Sequence, residues 1–298
     1  MKAKQIFEGH IDIPICDYYR HQNEKHNDLS KQKGGIQRLC ESLERELTIV
    51  GSRPRMGSTS LMLSMALEMA KAGYQVIYYA HPCQKIRERI AMYIDWKDGR
   101  KPCPIKEDIP FYYGNIFVSE DWHTIKSSLW DEVREIGPWC IFIDSLQDIV
   151  IEDRLINNGL SPEEFLCREL RDMADLLDAR IVLAAGLNLN TEERCGIEGK
   201  LPQLGDFRGG DLAYYAQKII FPYRPEYYHI YNDERTGEDI RGCMYIYGSN
   251  LDDCEGMKLR FDYRTGRVYD PAQEQWVTEE KVAPKTNDSP SGESDLPF

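Results

Sequence analysis

The chain has 298 residues, 42% of them hydrophobic and 29% charged, with a formal net charge of −13. That length suffices for one large domain with a full core or for two small ones. The acid excess excludes a surface broadly coated for DNA, which needs Lys and Arg in a stripe; a local basic channel on an acidic body stays open.

The N-terminal "MKAKQIFEGHIDIPIC" has an apolar stretch too short and too interrupted by charge for a signal peptide. No run approaches the ~20 apolar residues that cross a bilayer. A cytoplasmic protein without membrane contact is therefore expected. The 9 cysteines include no C-x-x-C pair, so neither a zinc site nor a disulfide framework is expected. Residues 1–33 are polar, rich in His, Asn, Lys and Gln, and read as an N-terminal extension. Their His21/His26 and Cys16/His10 pairs are too irregularly spaced to read as metal ligands.

From residue 34 to about 270 short apolar runs alternate with helical patterns. "LTIVGS" is continuous and apolar, the pattern of a buried strand. "SLMLSMALEMAKAG" predicts a helix ending at Gly73, "QVIYYA" a second strand and "QKIRERIAMYI" a second helix. "IFVSE" and "WCIFIDS" predict further strands. "SPEEFLCRELRDMADLLDA" opens with a Ser-x-x-Glu capping box and continues as a helix with a charged, solvated face, followed by the strand "RIVLAAG". "KIIFPYR", "GCMYIYGS" and "GMKLRFDYRTGRVYD" are strand-like. The order predicts an α/β domain on a mostly parallel sheet with extra strands toward the C-terminal side. Residues 271–298 are rich in Pro, Ser and acid, and read as a disordered tail.

The stretch "SRPRMGSTS", residues 52–60, lies between the first strand and the first helix. In a phosphate loop, backbone N–H groups at a helix N-terminus point at phosphate oxygens. A lysine neutralises the β/γ-phosphates and a Ser/Thr hydroxyl binds Mg²⁺. Gly57 and Thr59 fit that pattern, but Ser58 stands where the lysine belongs. Taken alone, the nonapeptide is better read as a plain glycine turn between a strand and a helix. Asp144, at the end of "WCIFIDS" and about 85 residues downstream, stands where such folds place a magnesium-orienting carboxylate. Within one α/β unit the two features support each other.

The order of motifs resembles the DnaB-type replicative helicases. "LTIVGSRPRMGSTSLMLSMALEMA" resembles their strand–loop–helix, whose loop reads A-R-P-S-M-G-K-T. "VIYYAHPCQKIRERIAM", "CIFIDSLQDIV", "LRDMADLLDARIVLAAGLNLNTEER" and "GDFRGGDLAYYAQKIIFPYRPEYY" resemble later segments of the family in the same order, from about Leu43 to Phe261. The resemblance implies a RecA-like core with a nucleotide-binding set of Ser52, Arg53, Gly57, Ser58, Thr59 and Asp144. ATP or ADP would be the cofactor, with Mg²⁺ on Thr59 and Asp144 if nucleotide still binds. It also points Arg208, with Gly209, Gly210 and Lys200, toward single-stranded DNA. The family's amino-terminal helical domain is not recognisable in the residues that precede this region.

The departures are as informative as the matches. The loop lysine is Ser58, the catalytic Glu falls on Ala80, and the sensor Gln falls on Gly186. The Lys-Gln-Arg segment that the family sends across its subunit interface falls on Tyr247, Gly248 and Ser249. An arginine finger is worth ~10³–10⁵ in rate and a general base ~10²–10⁴. Arg55 is a new cation in the loop and His81 adjoins Ala80, yet four simultaneous losses describe an abandoned site. No intact catalytic set is expected.

The end of the chain, "SGESDLPF", resembles the tip of bacterial single-stranded-DNA-binding proteins. Phe298 with Pro297 and Leu296 would fill an apolar pocket on a replication protein while Asp295 meets a basic rim. The run "YRPEYYHIY" fits strand packing better than base stacking. The expected function is a DnaB-like accessory or regulatory factor in DNA replication or repair. It would dock on replication proteins, on a true DnaB-family helicase or on further copies of itself. The alternatives are a helicase completed by a partner subunit and a DNA-binding module.

Overall fold

The computed structural model describes residues 34–98, 111–116, 121–136, 139–151, 156, 159–194 and 199–271. The polar extension and the tail with its Asp295–Phe298 tip lie outside the described residues.

Nine strands form one sheet in the order β3-β2-β4-β5-β1-β6-β7-β8-β9. The strands β1 (Leu47–Ser52), β2 (Gln75–Ala80), β3 (Phe111–Asn115), β4 (Trp139–Asp144), β5 (Arg180–Gly186) and β6 (Lys218–Tyr223) are parallel. Three antiparallel strands, β7 (Cys243–Ser249), β8 (Met257–Phe261) and β9 (Val268–Tyr269), extend the sheet beyond β6. This is the mostly parallel α/β architecture with an antiparallel C-terminal side that the sequence pattern predicts.

The continuous apolar strands are explained by burial on both faces. In β4, Cys140 and Phe142 pack on one side, while Ile141 and Ile143 pack on the other. The first side is covered by α1 (Gly35–Glu41) and α2 (Ser58–Lys71). Because α2 is enclosed by the sheet and α1, every residue from Ser60 to Ala70 except Glu68 is buried. The second side is covered by α4 (Trp122–Ile136) and α5 (Pro162–Leu177), which turn Trp122, Ile125, Leu129, Leu170 and Met173 inward at helical spacing. Helix α3 (Ile86–Asp98) follows β2 and buries Ile86, Ile90 and Tyr93 against the α2 side. The backbone N–H of Gly35 donates to the Asp270 carboxylate, tying the start of α1 to the residue just past β9.

The strand expected on "IFVSE" falls outside the described residues except for Ile116. A strand that the sequence pattern does not announce, Phe111–Asn115, "FYYGN", pairs in parallel with β2 from Val76 to Ala80. Phe111 and Tyr113 join the cluster around Tyr78, so packing selects the aromatic run. Helices α1 and α4 are additions that the sequence pattern does not announce. The capping box at α5 is present: Ser161 Oγ accepts from Glu164 N at 3.1 Å and Glu164 Oε2 accepts from Ser161 N at 2.9 Å. No helix among the described residues is long and apolar enough to cross a membrane.

Candidate functional site: an arginine-lined phosphate-loop cleft

The parallel strands β1, β4 and β5 end together, and their C-terminal ends open into one cavity of about 990 Å³. Such a crevice is the usual ligand site of an open α/β sheet. Its floor is the loop Ser52–Thr59. Gly57 adopts φ 97°, and the space beside it is closed: a Cβ there would lie 2.7 Å from Met244 Cε. That turn launches α2 with Gly57 as its N-cap, so the free N–H groups of the first turn face the cleft. Ser58 and Thr59 are half-buried at the helix start, and Ser52 is buried at the end of β1, its carbonyl accepting from Leu187 N at 3.1 Å.

Asp144 sits at the end of β4 and is 2% exposed. Its Oδ2 accepts from the Tyr78 hydroxyl at 3.0 Å. Burial holds this carboxyl above the ordinary aspartate range, against the opposing pull of the Thr59 and Tyr78 hydroxyls and of Arg89. Burial, together with the adjoining carboxylate, also pushes the Tyr78 phenol well above its usual value.

The lining is strongly basic. Arg53, Arg55, Arg89, Arg208 and Arg224 all contribute, and Asp144 is the one acid among the described lining residues. Arg53 is engaged structurally: buried to 6% exposure, it pairs with Glu192 at 2.9 Å. Among the described residues no carboxylate forms an ion pair with Arg55, Arg89, Arg208 or Arg224. Arg89 Nη1 lies 3.4 Å from Ser60 Oγ. Arg224 lies over the Phe261 ring at 4.0 Å and donates through Nη1 to the Arg55 carbonyl at 3.1 Å. Among the described residues its buried Nε has no hydrogen-bond partner, and desolvation lowers its pKa. The sequence pattern does not single out Arg89, Arg224 or Tyr78. Arg224 is hidden in a run that reads as strand packing, and the others become site residues only through the tertiary fold.

The positions of the missing catalytic groups are also defined. Ala80 is wholly buried at the end of β2. His81 does not line the cleft; its Nδ1 accepts from Cys83 N at 3.2 Å, capping the turn that follows. Gly186 ends β5 and donates its N–H to Gln147 Oε1 at 3.1 Å, and the Gln147 side chain occupies the space next to it. Gly248 and Ser249 are built into the β6–β7 ladder opposite Ile220 and Ile219.

The loop expected to meet DNA is pinned to the body. Leu187 bridges Phe207, Arg208 N donates to Gly186 O at 3.0 Å, and Asn188 N donates to Asp206 O at 2.7 Å. Asp206, 6% exposed, is held by the fork of Arg194. Gly209 and Gly210 pack on the start of α5, where Ser161 Oγ donates to Gly209 O and a Cβ at Gly210 would lie 2.6 Å from Glu164 Cδ. These glycines therefore serve close packing. Lys200 Nζ donates to the Glu192 carbonyl and lies over the Tyr228 ring. Of the four, only Arg208 has an exposed side chain that lines the cleft.

The donor set suits a polyanion better than a divalent cation. Magnesium is held through one or two carboxylates together with substrate phosphates, and the one acid among the described lining residues is buried and already accepts the Tyr78 hydroxyl proton. No cluster of three or more metal-binding side chains occurs among the described residues.

The same fold is found in solved structures. A DnaB-like replicative helicase, studied for its interactions with primase, superposes with a TM-score of 0.57 at 18% identity over 86% of this chain and 67% of its own. A second solved structure, an isolated ATPase domain, gives a TM-score of 0.60 at 20% identity, covering 87% of this chain and 99% of that domain. The chain shares the RecA-like α/β fold of these structures. No protein-family model matches the sequence, and no curated protein matches it either.

Proposed function

We propose that this is a DnaB-helicase-like protein that holds nucleotide without hydrolysing it efficiently and serves as an accessory or regulatory factor in DNA replication or repair. The observation that carries the reading is the chemistry of the cleft wall. It keeps the left-handed Gly57 turn, the helix start and several arginines, yet its described residues include no histidine, no glutamate and only the buried, hydrogen-bonded Asp144. A phosphate cradle survives while a group able to activate water does not. Losing a general base alone costs ~10²–10⁴ in rate, and no family-type Lys-Gln-Arg segment is available to a neighbouring subunit.

The partners that fit are replication proteins. The helicase neighbour that interacts with primase supports that choice. The Asp295–Phe298 tip would dock where single-stranded-DNA-binding-protein tails dock, and association with an intact DnaB-family helicase or with further copies would use the RecA-like body. Direct contact with single-stranded DNA would rest on Arg208.

A second reading, a helicase motor completed by a partner subunit, is favoured by one detail. Gln147 supplies an amide beside Gly186, where the family keeps its sensor glutamine. The deciding experiment is DNA-stimulated ATP turnover by the purified chain, alone and mixed with an intact paralogue. Background turnover alone, with no gain on mixing beyond the paralogue's own rate, is expected. Turnover alone at the rate of an intact helicase overturns the proposal, and a gain on mixing favours the second reading.

A further inference from the structure

We infer that the cleft takes its nucleoside di- or triphosphate free of magnesium, with arginines neutralising the phosphates in place of the metal. This rests on the nucleotide reading above and goes beyond it by naming the ionic form of the ligand. Four cations without an ion-pair partner among the described residues, Arg55, Arg89, Arg208 and Arg224, line the space in front of the α2 N-terminus. A polyphosphate entering there meets complementary charge and free backbone N–H groups even without a metal. Guanidinium groups bind phosphate oxygens two at a time and stay charged.

The carboxylate that would orient a metal is already engaged. Asp144 is buried, and the Tyr78 hydroxyl donates to it at 3.0 Å. Turning that carboxylate to a hydrated dication would break the bond and leave the Tyr78 hydroxyl without its partner. Arg224 is held in place by Phe261 and by the Arg55 carbonyl, and its buried Nε lacks a partner among the described residues. The cavity, at about 990 Å³, has room for a whole nucleotide as well as a bare anion.

Titration calorimetry of the full chain with ADP, once in magnesium and once in EDTA, tests this. The affinities in the two buffers should agree within about twofold. Arg89→Gln and Arg224→Gln should each weaken ADP by about tenfold in EDTA, with melting temperatures measured alongside to show that the variants fold. Binding in magnesium that falls by more than about tenfold in EDTA overturns the inference and leaves nucleotide binding standing. No ADP binding in either buffer overturns both. Full affinity in both folded arginine variants overturns the arginine assignment. Inorganic pyrophosphate is the comparison arm: binding as tight as ADP would overturn a nucleoside ligand in favour of a bare polyphosphate.

Discussion

Replacing Asp144 with asparagine should make the protein more stable at neutral pH. The carboxylate is 2% exposed and is met by one neutral donor at hydrogen-bond distance, the Tyr78 hydroxyl. Taking an ion out of water costs several kcal/mol, and one hydrogen bond to a charged acceptor returns about 1.5–3 kcal/mol. The sum leaves a net cost, which burial expresses by raising the Asp144 pKa. Asparagine keeps an acceptor for that hydroxyl without carrying charge. A gain of about 1 kcal/mol, or about 2–4 °C in melting temperature for a domain of this size, is expected at pH 7. The sign follows from the raised value. The folded state prefers the neutral acid, so the aspartate's favourable contribution is full below its ordinary range and is lost as pH rises through the folded value. The gap between variant and parent should therefore be small in acid and reach its full size near neutrality. Thermal melts of both proteins between pH 4 and pH 8 read it directly. An asparagine variant no more stable than the parent at pH 7, or a gap that shrinks as pH rises, would refute the idea that this carboxylate is held at a cost.

Two further outcomes follow from neighbouring contacts. Arg194→Ala removes the fork that holds Asp206 and leaves a carboxylate at 6% exposure without its cation; a loss of about 2–3 kcal/mol in denaturant unfolding is expected, below the figure for a fully buried pair because Arg194 is partly exposed. Its charge-free partner change, Asp206→Asn combined with Arg194→Ala, should recover part of that loss. Ser58→Lys restores the loop's missing ammonium but no base, so phosphate release should stay at background even where nucleotide affinity rises by up to about tenfold; brisk turnover in this single variant would show that the lysine alone was lacking.

The sheet was legible because its strands are buried on both sides and so read as unbroken apolar runs, "LTIVG" and "CIFI" above all. The α5 start was legible because Ser161 and Glu164 cap each other within one turn. Helix α1 escaped because it is short and its N-cap, Gly34, offers no side chain to bond the first turn. Strand β3 escaped because its identity depends on a neighbour, Tyr78, more than thirty positions earlier in the chain. In the cleft, the motif positions Gly57, Thr59 and Asp144 could be found by spacing. That Arg53 is engaged by Glu192, that Gln147 fills the room beside Gly186, and that Arg89 and Arg224 face the loop are facts of three-dimensional packing, invisible to local pattern.

The bond from Gly35 N to the Asp270 carboxylate brings the two ends of the described body side by side. A short linker across that gap would close the polypeptide into a ring, and the ring could be reopened in the exposed turn at Asp233–Gly237, where only local hydrogen bonds are at stake. A circular permutant made this way would carry its flanking segments at the Asp233–Gly237 turn, and any activity that needs both of them beside α1 would be lost while the fold remained.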